Sequence, residues 1–343
     1  MPTSDLRLLD AGRLIEFSTS YLRAIGCTQD VAEEMAAHLV DADLCGVHSH
    51  GTVRLPQYAE QIKAGDFAPS ATPTLTKADG GADLADAGGG FGVPACTMAV
   101  EHAVKVAKSG GIGACGVINA GHTGRIGAFA EYGGQAGCFT MLLGGGSRKQ
   151  WRQVAPFGGA KAVLPTNPYA MAIPAGADGP VMIDFATSAA AGGKVLAARA
   201  AGLDMPPGQI IDAAGKPTVR TDDYINGGAL LPAAGPKGYG MALIAELIGE
   251  AMFGEALTGM NWLVVCIDLS GYRAPGTYQA AASACLEELR ACPPADGFDR
   301  VEIPGERERT LRAARKRDGI PMAAATIEHL NLNTARLGVA PLT

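Results

Sequence analysis

The stretch KSGGIGACGVINAGHTGRIG, Lys108 to Gly127, decides the fold. It contains G-x-G-x-x-G at Gly111, Gly113 and Gly116. In a dinucleotide-binding βαβ unit that spacing follows a strand and opens a helix, whose N-terminus meets a pyrophosphate. Here the order is reversed. The residues from Pro94 to Ser109 have helical spacing, with proline in the first turn, and Gly110-Gly111 ends that helix. Residues 112–118, IGACGVI, are an apolar run of strand length, so Cys115 and Gly116 fall inside a strand. The fingerprint therefore builds no Rossmann loop. The chain also has no G-x-x-x-x-G-K-[ST] loop. Any dinucleotide would be held by a different backbone.

Working outward, a helix is expected over 124–136 and a strand over 138–143 (CFTMLL). Tyr169–Ile173 and Val181–Phe185 read as a strand pair joined through Pro174–Pro180. Helices follow at 192–201 and 238–254, then a strong strand at 262–269 (WLVVCIDL) and helices at 276–291 and Pro321–Leu337. Upstream, Leu8, Leu9, Leu14, Ile15 and Phe17 lie in a helical segment ending near Gly26. Thr28 caps a second helix, through Val31, Met35 and Leu39, that ends before Gly46. Residues 52–64 form a third around Pro56, and Phe67–Thr76 is an extended connection. This alternation predicts an α/β (mixed α+β) fold, with a sheet partly covered by helices.

A chain of 343 residues exceeds one ordinary core, so two intertwined domains are expected. The 47 glycines, about twice the usual frequency, suit backbone that passes close to a ligand. Net charge is −6 with no basic stripe, which argues against nucleic-acid binding. No apolar run approaches the roughly 18 residues of a membrane span. Met1–Arg7 lacks the basic-then-apolar order of a signal peptide. The cysteines, Cys27, Cys45, Cys96, Cys115, Cys138, Cys266, Cys285 and Cys292, form no C-x-x-C pair. They read as small apolar fillers in a reducing cytoplasm, with no structural zinc site.

The densest polar cluster is Gly46 to Tyr58, GVHSHGTVRLPQY, where a helix ends. It holds His48, Ser49, His50 and Arg54. Reduction of a keto acid needs a proton donor that titrates near working pH and a cation that grips a carboxylate. Histidine and arginine supply both. The same residues would also serve at a helix C-terminus, as cappers of carbonyls, and both readings stay open. A second cluster, Asn119 to Gly127, opens a helix whose free N–H groups suit an anion. It contains His122. Asp184 is a lone carboxylate in an apolar strand and needs a partner, either a histidine to orient or backbone N–H groups at a turn. Lys237, in Gly235 to Gly240, stands at a helix start as a phosphate contact or as a solvated lysine.

In this order the segments Ser49-His50-Gly51, Arg54-Leu55-Pro56, Asn119 to His122, Thr166-Asn167-Pro168, Asp184 to Ser188, Lys237 to Gly240 and Pro304-Gly305-Glu306 resemble the malate/L-lactate dehydrogenase family, which lacks the ordinary Rossmann fold. Its members include dehydrogenases of ureidoglycolate, sulfolactate and diketogulonate and a reductase of cyclic imines. The resemblance runs from about residue 5 to 338. It implies a homodimer using NAD or NADP on a small 2-keto or 2-hydroxy acid. It also implies a helix-rich domain of residues 1–118 with 309–343 and a family-specific nicotinamide-binding domain of 119–308. By position His50, His122 and Asp184 are the implied catalytic residues. His48, Ser49, Arg54 and Thr166 are implied on the substrate. His122, Ser147, Pro180, Val181, Met182, Ile183, Asp184, Phe185, Ala186, Pro236, Lys237, Pro304, Gly305 and Glu306 are implied on the cofactor.

Two departures stand out. His48 occupies a position where many relatives carry aspartate. The stretch Gly144 to Arg152, GGGSRKQWR, is longer than usual and reads as a lid or as a contact for a 2′-phosphate. Two other chemistries remain in view. One is reduction of a cyclic imino acid with NADPH. The other is a metal-dependent hydrolase, in which His48 and His50 on an extended segment would point the same way.

Overall fold

In the computed structural model, which describes residues 5–176 and 178–343, Asp10 ends strand β1 (Leu6–Leu9) by accepting the Arg13 N–H and so starts helix α1 (Ala11–Ala24). Leu8 and Leu9, expected in that helix, lie in the strand instead. Thr28 caps α2 (Gln29–Leu44) as its sequence predicts. Two short 3-10 turns, His48–His50 and Thr52–Arg54, lead into α3 (Leu55–Ala64), with Pro56 in its first turn and Gly65 at a φ of 83° at its end. A hairpin, β2 (Thr74–Lys77) and β3 (Asp83–Asp86), precedes α4 (Gly92–Gly110) and β4 (Ile112–Ile118). Then come α5 (Gly127–Gln135), β5 (Cys138–Gly145), β6 (Pro168–Ile173), β7 (Val181–Ala186) and α6 (Gly192–Ala200). A small subsidiary sheet of β8 (Ile210–Ile211), β9 (Pro217–Thr218) and β10 (Ala229–Leu230) surrounds α7 (Thr221–Ile225). The apolar helix α8 (Pro236–Glu246) runs on into a π-helical turn, Leu247–Met252. Last come β11 (Asn261–Asp268), α9 (Pro275–Arg290), α10 (Glu306–Asp318), β12 (Ile320–Ala323), α11 (Ala324–Asn331) and α12 (Thr334–Leu337).

The main sheet has the order β2-β3-β4-β11-β5-β6-β7, and only the β3–β4 pair is parallel. This is not the parallel sheet of a Rossmann domain. The glycines of the false fingerprint serve packing. Gly111 closes α4 at a φ of 86°. A Cβ on Gly113 would stand 2.0 Å from the Ala103 carbonyl oxygen, so glycine lets β4 lie directly on α4.

One face of the sheet, with Cys115, Val117, Val264, Cys266, Leu142, Ala170 and Met182, joins the helices of both chain ends in a single core that runs from Leu9 to Leu342. On the other face, α8 and the π turn cover Leu143 and Tyr169. One step along the strands lies a cross-strand row of apolar residues, Ala114–Val265–Met141–Met171–Ile183. Its end residue Ile183 is 38% exposed, and at the opposite end, on β4, Ile112 is 57% exposed.

At the C-terminal end, residues expected to start the last helix at Pro321 instead pair with β1 as β12. Among the described residues, no helix is long and apolar enough to cross a membrane. All eight cysteines are free, and six of them are buried.

Candidate active site

The His50 loop is built on the end of α2. Asp43, whose side chain is 2% exposed, accepts from Thr52 N at 2.9 Å and Thr52 Oγ1 at 2.7 Å through Oδ2, and holds His48 Nδ1 at 2.8 Å through Oδ1. A Cβ on Gly51 would fall 2.2 Å from Asp43 Oδ1, so only glycine lets the loop close over this carboxylate. Arg315 of α10 donates to the Asp43 carbonyl and to His48 Nε2, the latter at 3.1 Å. An arginine can only donate, so Nε2 accepts and His48 carries its proton on Nδ1, toward Asp43. His48 is thus a loop fastener. It lies in a 3-10 turn and not on an extended segment, and its two ring nitrogens are taken. That removes the geometric basis for a His48–His50 metal pair. Among the described residues no cluster of three His, Cys, Asp or Glu side chains with metal-ligand geometry occurs.

His50 holds Ser49 Oγ at 3.0 Å through Nδ1, which leaves Nε2 for a ligand. Beside it, Arg54 donates from Nε to the Ser49 carbonyl at 2.6 Å and from Nη1 to Gln57 Oε1 at 2.7 Å. Nη2 keeps its donors. The ring of His50 is stacked on that of His122, with 5.6 Å between centroids and 17° between planes. The two polar clusters of the sequence therefore meet.

His122 is oriented from behind. Its Nδ1 accepts the Gly124 N–H at 3.3 Å and lies 2.8 Å from the hydroxyl of fully buried Tyr58. Since a backbone N–H can only donate, the neutral ring carries its proton on Nε2. Burial pushes the His50 pKa down to about 4, and Arg54 and Arg125 add to the effect. Burial also holds His122 well below the usual histidine range, helped by His50 and Arg54. Both rings are neutral at pH 7.

A buried ion cluster ties three chain segments around the two histidines. Arg125 Nη2 contacts Asp41 at 2.9 Å and Glu131 at 3.4 Å. Arg312 of α10 grips the same two carboxylates at 2.8 and 2.7 Å. Burial alone would raise both acids, but the two guanidinium groups outweigh it and hold them below the usual range.

β7 is the outer strand of the sheet, and two other segments meet its free edge and its end. Pro304 O accepts Met182 N at 3.1 Å, so the stretches 180–186 and 304–306 adjoin. Ala233 N donates to Thr187 O at 2.8 Å, which brings the start of α8 alongside. There Lys237 is exposed and, among the described residues, makes no ion pair. The first-turn N–H groups of Lys237, Gly238 and Tyr239 are taken by the carbonyls of Ala234, Ala233 and Gly235, so what this helix start offers a phosphate of a nicotinamide dinucleotide is the unpaired Lys237 ammonium.

Several expected roles differ in the structure. Asp184 orients no histidine. Its Oδ2 accepts the Gly127 N–H at 2.7 Å at the start of α5, and surrounding protein raises its pKa. Ser147 is fully buried, so its side chain is not open to a cofactor. Glu306 is taken by Arg290 and by Ile303 N at 3.0 Å. Thr166 uses its carbonyl to hold Thr187 N and Oγ1, both at 2.9 Å, and nothing joins it to the His50 loop. The long stretch after Ser147 is pinned and not free as a lid. Arg148 pairs with Glu250 and Lys149 with Glu255, each at 2.7 Å, so neither is open to a 2′-phosphate. Residue types gave no notice of His38, Asp41 and Asp43, whereas Tyr58 lies within the first cluster and Arg125 within the second.

The sequence profile of a family described as malate/L-lactate dehydrogenase matches residues 9–331. A ureidoglycolate dehydrogenase (NAD(+)) of Escherichia coli O157:H7 is 34% identical over 295 residues, 82% of each chain. An L-sulfolactate dehydrogenase of Methanocaldococcus jannaschii is 32% identical, covering 86% of this chain and 87% of the relative. The structure of malate dehydrogenase from Pyrococcus horikoshii OT3 superposes with a TM-score of 0.87 at 27% identity, over 99% of this chain and 98% of that one.

Proposed function

The chain belongs to the malate/L-lactate dehydrogenase family, and from that premise we propose that it transfers a hydride between NAD or NADP and a small 2-hydroxy or 2-keto acid. The observation that carries this reading is the His50–His122 stack with Arg54 beside it. A substrate hydroxyl needs one acceptor and one donor. His50, with its Nδ1 hydrogen turned to Ser49 Oγ, offers the lone pair of Nε2 as acceptor. His122 offers Nε2–H as donor, because its Nδ1 is already occupied. In oxidation His50 takes the hydroxyl proton, and in reduction it returns that proton to the carbonyl oxygen. Arg54 holds the carboxylate through the donors left on Nη1 and Nη2. When bound, the nicotinamide accepts or supplies the hydride. The edge of β7, the 304–306 turn and the Lys237 ammonium would hold that cofactor.

The helix-rich part (1–118 with 309–343) would then supply the proton-transfer and carboxylate groups, and 119–308 the cofactor contacts. They would join where β4 pairs with β11, which carries the sheet across the division. We also propose a homodimer. In support, α8 is apolar on all sides, yet Leu243 is 42% and Ile244 55% exposed, as is Leu247 at the start of the π turn. A helix apolar all round is normally buried, and Ile183 at the sheet edge is exposed as well. Free thiols support a cytoplasmic site.

The deciding experiment follows NADH and NADPH absorbance separately with a panel of 2-keto acids and one cyclic imino acid. Oxidation of either cofactor with a keto acid supports the reading. Turnover confined to the imine would replace it with an imine reductase, and silence with cofactor binding intact would overturn it.

A further inference from the structure

Both histidine loops are seated on one helix. From α2, Asp43 reaches the loop that carries His50 and Arg54, and His38 reaches the loop that carries His122. His38 Nε2 accepts the Arg125 backbone N–H at 3.0 Å, and its ring stacks on Phe129 with 5.1 Å between centroids. The two contacts are built alike. Each loop presses a glycine against the α2 side chain: a Cβ on Gly51 would lie 2.2 Å from Asp43 Oδ1, and one on Gly124 would lie 2.3 Å from His38 Nε2. Gly124 also needs its φ of 65°, which other residues rarely adopt. Between the two anchors Asp41, on the same helix, fixes the Arg125 side chain at 2.9 Å.

We propose that His38 and Asp43 are positioning residues that set the separation of His50 and His122. Both spend their acceptors on the loops, Asp43 on Thr52 and His38 on Arg125 N. Among the described residues the backbone N–H groups of Arg125 and Thr52 have only these side chains to accept them, so the loops are indexed to α2 and, through α2, to each other. His38 is suited to the task because burial lowers its pKa to about 3, which keeps Nε2 an acceptor throughout the working range. This inference rests on His50 and His122 as the proton-transfer pair.

The test compares His38→Phe, which keeps the ring stack but loses the acceptor, with His38→Gln, which keeps an acceptor near the same place. Both are assayed below their melting temperatures. His38→Phe should lower kcat about 10- to 100-fold, the usual effect of a displaced reacting group, with the KM for the acid little changed. His38→Gln should recover most of that loss. Asp43→Asn should both lower kcat and raise the KM for the acid, because its loop also carries Arg54. Crystal structures of the two His38 variants should show the His50–His122 rings moved from their 5.6 Å spacing in the phenylalanine form only. An unchanged spacing and kcat in His38→Phe, or equal damage in both His38 variants, would overturn the proposal. His50→Ala, measured alongside, keeps the two readings apart. If that enzyme turns over normally the proton-transfer assignment fails, while the ring spacing still decides the role of His38.

Discussion

His122 carries its proton on Nε2 because Nδ1 accepts from Gly124 N, and its ring stacks on that of His50 with 5.6 Å between centroids. A donor and an acceptor at one oxygen define a proton-transfer site more narrowly than either histidine alone. Replacing His50 with alanine removes the acceptor and leaves the donor. Turnover should fall by about 10²–10⁴-fold, the value of a positioned acid–base group, with cofactor binding by fluorescence unchanged. Near-normal turnover in that variant would remove His50 from the mechanism.

The low proton affinity of the buried histidines has a consequence for stability. His38 sits at about 3 and His50 at about 4, each against an ordinary 6.5, and His122 is also well below that value. Below about pH 6.5 the unfolded chain takes up protons that the native state refuses. Their contribution is therefore complete above pH 6.5 and is lost as pH falls toward 4 and then 3. Melting temperature should be level from pH 8 to 7 and drop steeply from pH 6 to 4. A level profile across that lower range would show that these rings protonate freely in the folded protein.

Tyr58 tests the orientation of His122. Its hydroxyl lies 2.8 Å from Nδ1, and its ring packs edge-on against Phe67 and Phe91. Tyr58→Phe keeps the packing and the Gly124 contact. It should cost about 1 kcal/mol in stability and lower kcat by about three- to tenfold, the worth of one net hydrogen bond. Thermal denaturation and steady-state kinetics on the same preparation measure both. An unchanged kcat would mean that Gly124 alone fixes the tautomer.

The sequence disclosed the sheet better than the ends of the chain. Strands 112–118, 138–143 and 262–269 are apolar runs bounded by glycine or polar residues, and all lie in the main sheet. Helix α10 left no apolar stripe, since ERERTLRAARKRD is held by ion pairs such as Arg312 with Glu131 that depend on distant residues. β1 and β12 exist only through each other, so neither four-residue strand could be read alone. The same applies to the site. His50, Arg54 and His122 stand out as rare residue types in short clusters. Asp43 and His38 sit inside a helical pattern, and only the folded loops show what they hold.

The exposed end of the sheet face beside α8 gives a prediction about assembly. Ile183 ends a row of apolar residues across five strands and is 38% exposed in the single chain. Ile183→Asp would place a charge in that face. If a second copy covers it, the variant should elute as a monomer in size-exclusion chromatography and melt at a temperature that no longer rises with protein concentration. Elution unchanged from the parent protein would place the interface elsewhere.

Arg54 separates carboxylate binding from chemistry. Two of its nitrogens are committed to Ser49 O and Gln57 Oε1, which fixes the plane of the guanidinium and aims what remains. Lysine can supply the charge but not the fixed fork. Arg54→Lys should therefore raise the KM for the acid by about 10- to 100-fold, the worth of a charge-assisted hydrogen bond, and lower kcat less. The KM for the cofactor should stay near that of the parent. A purely structural arginine would give the opposite pattern, with melting temperature falling and the KM for the acid unmoved. Steady-state kinetics at saturating cofactor, beside a melting curve of each variant, distinguishes the two.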